Sequence, residues 1–412
     1  MSGNRTLRSD RAMRRAHDYF QDRNRTVLTI LALLAVLFPF IANIITAGNG
    51  TDWINLAADA GPFVLLAIGL NVVVGFAGLL DLGYAAFFAI GAYTYGLLAS
   101  PQLASSPLHH EFHLPFWLLI FVGLFIAACF GVILGAPTLR LRGDYLAIVT
   151  LGFGEIVPRV FRNLGPGSPI GDWTGGINGV AVIDPPHLPG WLTAVFSQPK
   201  GIDFTDPSIY PLDYYVLMIV LAVGCVVLVN NLYNSRLGRA WMAVREDEVA
   251  AAATGVNTVA IKLLAFAIGA SFSGFAGAYY GAKLSLVSSD NFEFVVSVTV
   301  LLMVVLGGMG NIPGVIVGAL MIYSVLYVIL PSLPDTVSNL ANAIGLGVLN
   351  QQHGDWVGLH DEVQRLNFLL YGLILVIVML LRPQGLIPSR VREQELAKGT
   401  ADEAVFDLRE EA

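Results

Sequence analysis

The chain has 412 residues, of which 55% are hydrophobic and only 13% charged, with a net charge of −7. Soluble domains carry about a quarter of their residues as charges, so a soluble protein is excluded; the charges lie between long apolar runs, as they do when lipid is the outer solvent. The two cysteines, Cys129 and Cys225, both fall inside apolar runs and read as small buried hydrophobes, not as a disulfide or metal pair.

Residues 5–25 hold seven arginines against three aspartates, ahead of the apolar run Val27–Ala47. That run is too long for a signal-peptide core and no small-residue cleavage site follows, so it reads as a retained first span behind a basic segment, residues 1–26. A span needs about 20 apolar residues. Further spans are expected at Gly61–Leu80, Tyr84–Leu98, Pro115–Ala136, Tyr145–Leu164, Tyr214–Tyr233, Val259–Leu284, Val295–Leu306, Pro313–Leu330 and Asn367–Leu381. The fold class expected is an all-α polytopic membrane protein with about ten transmembrane helices over residues 27–388. Residues 165–211 and 331–366 form outer loops, and an acidic tail runs over 389–412.

Cytoplasmic loops are enriched in Lys and Arg. With both termini inside, 18 of the 23 basic residues fall on the cytoplasmic side, and Arg159, Arg162, Lys200, Lys283 and Arg365 on the other.

The informative inner segment is residues 236–256. Ser235 suits a helix N-cap, Gly255 a left-handed end and Asn257 the next cap, with no Pro or Gly from Arg239 to Thr254. A short cytoplasmic helix is expected there, with Trp241, Val244 and Glu248 on one face. It is either an interfacial helix on lipid headgroups or a knob that docks into a partner. Membrane-surface helices favour Lys and Arg on the polar face; Glu246, Asp247 and Glu248 favour docking, with Arg239 and Arg245 alongside. No lysine is preceded by glycine, so the chain lacks the Gly-x-x-x-x-Gly-Lys phosphate loop. Any ATP used is bound by another polypeptide, and no cofactor or metal is expected in this one.

Five ordered blocks then carry a resemblance. They are Gly69–Tyr93 (GLNVVVGFAGLLDLGYAAFFAIGAY), Leu139–Glu155 (LRLRGDYLAIVTLGFGE), the run from Gly238 through Lys262 to Phe266, Gly307–Gly314 (GGMGNIPG) and Leu381–Leu386 (LRPQGL). Together they resemble the permeases of bacterial branched-chain amino acid ABC importers, most of all the larger, LivM-type subunit. The resemblance implies a homologous second permease, two cytoplasmic P-loop ATPases, an extracytoplasmic substrate-binding protein and a place in the inner membrane. It also implies that Arg239–Thr254 is the coupling helix, and that leucine, isoleucine and valine are the default cargo. Related permeases carry urea or short amides. A secondary transporter driven by an ion gradient would show several intramembrane acids or bases, and here Glu155 is nearly alone. Neither an enzyme nor a nucleic-acid binder is indicated, since no nucleophile constellation occurs.

Candidate pathway residues are Asn71, Tyr84, Phe87, Phe88, Tyr93 and Glu155. Glu155 is either an i,i+4 partner of Arg159 or a carboxylate that meets a substrate ammonium. Asn71 can serve as interhelical glue, and Asp81 as a cap at the cytoplasmic turn after the second span. The run Gly307–Asn311 is either a tight turn or unwound backbone along a pathway. The Gly131/Gly135, Gly277/Gly281 and Gly314/Gly318 pairs suit close helix packing. His109, His110 and His113 with Glu111 form either a metal cluster or a solvated loop.

Overall fold

A computed structural model describes residues 26–45, 50–138, 144–187, 211–345, 347–350, 358–381 and 385–387. The basic segment before Thr26, much of the expected loop 165–211, Arg140, Arg142 and the acidic tail lie outside the described residues. Thirteen α-helices are described: α1 Thr26–Ile45, α2 Thr51–Leu70, α3 Tyr84–Leu98, α4 Phe116–Thr138, α5 Asp144–Asn163, α6 Pro211–Asn234, α7 Arg236–Glu246, α8 Glu248–Ala253, α9 Thr258–Leu284, α10 Phe294–Gly307, α11 Ile312–Ser324, α12 Leu330–Ala343 and α13 Leu359–Leu381. Helices dominate because a chain in lipid must satisfy every backbone N–H and C=O within itself.

Among the described residues, seven helical stretches are long and apolar enough to cross a membrane. They are α1, α2 with its continuation to Phe76, α4, α6, α9, Ser289–Gly307 and Ile312–Ala343. The other three expected spans differ in kind. Helix α3 is apolar but only 15 residues long. The sequence of α5 contains Asp144, Glu155, Arg159 and Arg162, and α13 opens on the charged turn Leu-His-Asp-Glu.

Three boundaries depart from expectation, the first two for a physical reason. The second span was expected to begin at Gly61, yet α2 begins at Thr51. Asp59, ahead of the expected start, lies within the helix and is neutralised there by Lys283 of α9. The ninth span was expected to stop at Leu330, but the helix passes through a π-turn at Val325–Ile329 and runs on to Ala343. That wide turn sits where Pro331 and Pro334 remove two helical donors. Helix α13 begins at Leu359, ahead of the expected Asn367.

The core is built around α2 and α9. Residues 60–77 are buried without a break, the mark of a helix surrounded by other helices. Small residues let backbones close in on α9. A Cβ at Gly91 of α3 would lie 2.1 Å from the Gly274 carbonyl oxygen, and one at Gly277 would lie 2.3 Å from that of Phe88. The expected packing role holds for Gly277 and also for Gly314 and Gly318, whose Cβ atoms would meet α10 backbone at 2.4 Å and 2.3 Å. Helix α1 stands apart, with Ala42 its one buried hydrophobic residue. It is tied to α6 by the Tyr215 hydroxyl, which donates to the Ala35 carbonyl at 2.7 Å.

Helix α3 is short because the chain before it is not helical. A π-turn, Asn71–Phe76, ends the α2 rod, and residues 77–83 run as irregular backbone with Gly78 at φ +70°. Phe76 packs on Tyr233 near the α7 end of the bundle. Tyr84 donates its hydroxyl to Gly269 and accepts from Ser273 on its carbonyl, near the middle of α9. The segment therefore climbs half the bundle before α3 starts. Irregular backbone at that depth is tolerated when protein surrounds it, and here the Leu82 N–H finds Thr150 Oγ1 and the Ala85 N–H finds Ser297 Oγ. Asp81 was expected to cap a helix at the cytoplasmic edge; instead it closes a local turn, accepting from the Gly83 N–H at 2.9 Å, while α3 starts after Gly83 with no side-chain cap.

Candidate functional site

The segment expected to couple to a partner is two helices where one was expected. Asp247 adopts an extended backbone (φ −155°, ψ 108°) and ends α7. Its Oδ1 accepts from the Val249 and Ala250 N–H groups at 2.8 and 3.0 Å, which starts α8. An aspartate placed to cap the following turn outcompetes helix continuation. The other expected caps are present: Ser235 Oγ accepts from Leu237 and Gly238, Gly255 has φ +87°, and Asn257 Oδ1 accepts from Ala260.

Four of the seven predicted coupling residues face their own chain. Trp241 is fully buried and donates its indole N–H to the Ile261 carbonyl at 2.8 Å. Val244 is buried beside it. The Arg245 guanidinium donates to the Gly75 carbonyl in the π-turn of α2. Glu248 pairs with Lys262 of α9 at 2.7 Å. Arg239, Glu246 and Asp247 are exposed, together with Val249, 75% exposed, and Ala250, Ala252 and Ala253. The face carrying Trp241 anchors the pair to its own chain, and the acidic, alanine-rich edge is exposed.

The pathway candidates divide sharply. Tyr84, Phe87, Phe88 and Tyr93 are fully buried packing residues. Phe87 packs on Phe153 of α5, Phe88 on Phe292, and Tyr93 stacks on Phe161 of α5 with ring centroids 4.1 Å apart. Asn71 is the expected glue: its Oδ1 accepts from the Gly310 N–H at 2.8 Å. The Gly307–Asn311 run is a tight turn between α10 and α11, with Gly308 and Gly310 at positive φ and Asn311 donating to the Ile387 carbonyl at 2.9 Å.

Glu155 alone of these candidates lines a cleft. The space, about 410 Å³, lies between α5 and the connection that enters α10. Glu155, Arg159 and Arg162 recur at i, i+4 and i+7 and so share one face of α5. Phe153 and Phe161 on the other side of the helix hold it to α3. Glu155 and Arg159 are 2.7 Å apart, as their spacing allowed. Arg162 comes within 3.9 Å of Asp290, and Glu293, Phe294 and Val295 complete the opposite wall.

Sequence reasoning missed the Asp59–Lys283 pair and the Asp290 and Glu293 contribution to the cleft. The i+7 position of Arg162 was a usable signal; nothing local marks Asp290 as its neighbour. His113, taken with Glu111 as a possible metal ligand, hydrogen-bonds Asp184 at 2.6 Å. That contact raises the His113 pKa above its usual value. His110 packs its ring on Phe112, and His109 Nδ1 lies 3.4 Å from the Ala104 carbonyl.

A bundle with seven described helical stretches long and apolar enough to cross a bilayer is that of a multi-pass membrane protein. The chain belongs to the family described as the branched-chain amino acid transport system permease component, which it matches over residues 53–379. It is 36% identical over 390 residues to the high-affinity branched-chain amino acid transport system permease protein LivM of Escherichia coli, covering 92% of this chain and 78% of that protein. A probable LivM of Methanocaldococcus jannaschii is 25% identical over 80% of this chain and 91% of its own length. The E. coli permease LivH is 23% identical over 79% of this chain and 91% of its own. No solved structure matches the chain significantly.

Proposed function

We propose that this chain is the LivM-type half of a heterodimeric ABC importer permease that brings leucine, isoleucine and valine across the bacterial inner membrane. Membership of the family carries the class and the default cargo. The observation that carries the mechanism is the bracing of α7 and α8. Trp241, Arg245 and Glu248 fasten the pair to α9 and to the end of α2, while Glu246, Val249 and the alanines remain open to a partner.

In this reading α7 and α8 lie in the cytoplasm, both termini are inside, and ten segments cross. A LivH-like second permease completes the pore. Two P-loop ATPases bind the ATP, one of them seated on the α7–α8 edge. A substrate-binding protein delivers cargo at the opposite face. Closure of the ATPases on ATP moves α7 and α8, and Arg245 passes the displacement to α2 at Gly75.

Affinity purification of the tagged chain from native membranes in mild detergent, followed by uptake in liposomes, tests the assignment. Recovery of a second permease and two ATPases, with ATP-dependent leucine uptake, is the expected result. A chain that purifies alone and moves solute without ATP refutes it, and uptake of urea without leucine refutes the cargo. Docking is tested separately by Glu246→Lys with Val249→Asp, which should abolish ATPase association while leaving the fold intact.

A further inference from the structure

We propose that the cleft between α5 and the start of α10 is a head-group site for a zwitterionic amino acid on its way through the pore. The proposal rests on the amino-acid permease reading above. Two guanidiniums and three carboxylates face one concavity of about 410 Å³, a size within the usual range for small-molecule sites. The arrangement suits a ligand carrying both charges. Arg159 and Arg162 can take a carboxylate through paired N–H donors. Asp290 sits only loosely on Arg162 at 3.9 Å and accepts from Ser289 Oγ on the same oxygen at 3.3 Å, which leaves its second oxygen able to accept from an ammonium, and Glu293 has no ion-pair partner among the described residues. Phe294 supplies an apolar wall beside them.

The surroundings sharpen the argument. The same outward surface of α5 exposes Ile148, Ile156 and Val160, so the charges stand within an apolar field. Guanidiniums facing lipid are costly; a water-lined path or a second subunit must border this face. A macromolecular docking patch steers by one sign of charge, whereas this cleft interleaves both. A neutral amide needs no formal charges at all, which sets the site against the urea-type cargo.

The test uses the whole importer in liposomes with its binding protein, comparing Arg159→Gln and Glu293→Gln with Arg365→Gln, an exposed arginine of α13 outside the cleft. Leucine uptake, ATP hydrolysis and vesicle affinity of the leucine-loaded binding protein are measured on the same preparations. Both cleft variants should lower leucine moved per ATP about tenfold, with hydrolysis and docking held within about twofold. Arg365→Gln should resemble wild type. Glu293 makes no ion pair within the described chain, so its variant folds even where Arg159→Gln does not assemble. Unchanged uptake per ATP in Glu293→Gln overturns the proposal. So does a parallel loss of docking, which would make the cleft a contact for the binding protein. A wild-type importer that carries leucine with unaffected variants sinks this proposal alone; one that carries urea and no leucine sinks the cargo reading with it.

Discussion

Lys283→Met isolates the buried ion pair that fixes α2 against α9. Lys283 is only 3% exposed, and its ammonium donates to Asp59 Oδ1 at 2.6 Å and to the Asn55 carbonyl at 3.0 Å. Methionine keeps the volume of the aliphatic stem, so no cavity term enters. What remains is a carboxylate on α2 without its counter-charge. Removing one partner of a fully buried pair costs about 3–5 kcal/mol. Asp59 retains 34% exposure, so water recovers part of that, and the expected loss is about 2–4 kcal/mol. The second variant, Asp59→Leu, strands the ammonium instead and should cost as much or more. The double variant replaces both charges by apolar groups and should regain most of the loss, since a buried pair is often matched by hydrophobic packing. The assay is denaturant unfolding of the purified full chain, read as a double-mutant cycle. A coupling energy below about 0.5 kcal/mol, the scatter for independent sites, would refute the pair as the element that sets this register.

Three further outcomes are expected. Arg245→Gln removes the charge-assisted bond to the Gly75 carbonyl, worth about 1.5–3 kcal/mol; ATP consumed per leucine should rise severalfold while the ATPases still bind, and an unchanged ratio refutes the link. Gly91→Val places a Cβ 2.1 Å from the Gly274 carbonyl oxygen, which must push α3 off α9; the variant should lose monodisperse behaviour in size-exclusion chromatography. Asp184 raises the pKa of His113, so this contact stabilises the hairpin in which Ala99–Ser100 pairs antiparallel with Phe112–His113 fully below the ordinary histidine value, and fades as pH climbs through the raised one. Hydrogen exchange of that hairpin should accelerate with pH in this window beyond its intrinsic rate, and His113→Gln should abolish the extra acceleration.

The sequence made the apolar helices and the caps legible because both signals are local. Ser235, Gly255 and Asn257 act where the chain placed them. What it concealed is compensation between distant residues. Asp59 reads as a loop residue until Lys283, 224 positions on, cancels its charge. Aromatic side chains in a span look equally suited to lining or packing, and nothing local to Phe87 and Tyr93 points to the rings of Phe153 and Phe161 that they pack on. Asp247 carried a readable signal that was overridden by the alanine run after it. An aspartate followed by Glu-Val-Ala is a helix start as much as a helix interior.

The half-length helix has a consequence for how the molecule is made. A helix rises 1.5 Å per residue, so the 15 residues of α3 span about 22 Å, short of the roughly 30 Å hydrocarbon layer. As it leaves the ribosome, α3 cannot settle in the bilayer as an independent rod, and the Leu82 and Ala85 N–H groups at its start find their partners only on α5 and α10. Its hydroxyl and glycine contacts wait on α9, synthesised some 185 residues later. At the cell's rates of about 5–20 residues per second, the nascent chain passes many seconds with that stretch unsheltered. Insertion must then finish by folding backwards, the late helix closing over the early one, and a transcript truncated before α9 leaves a product that quality control should clear.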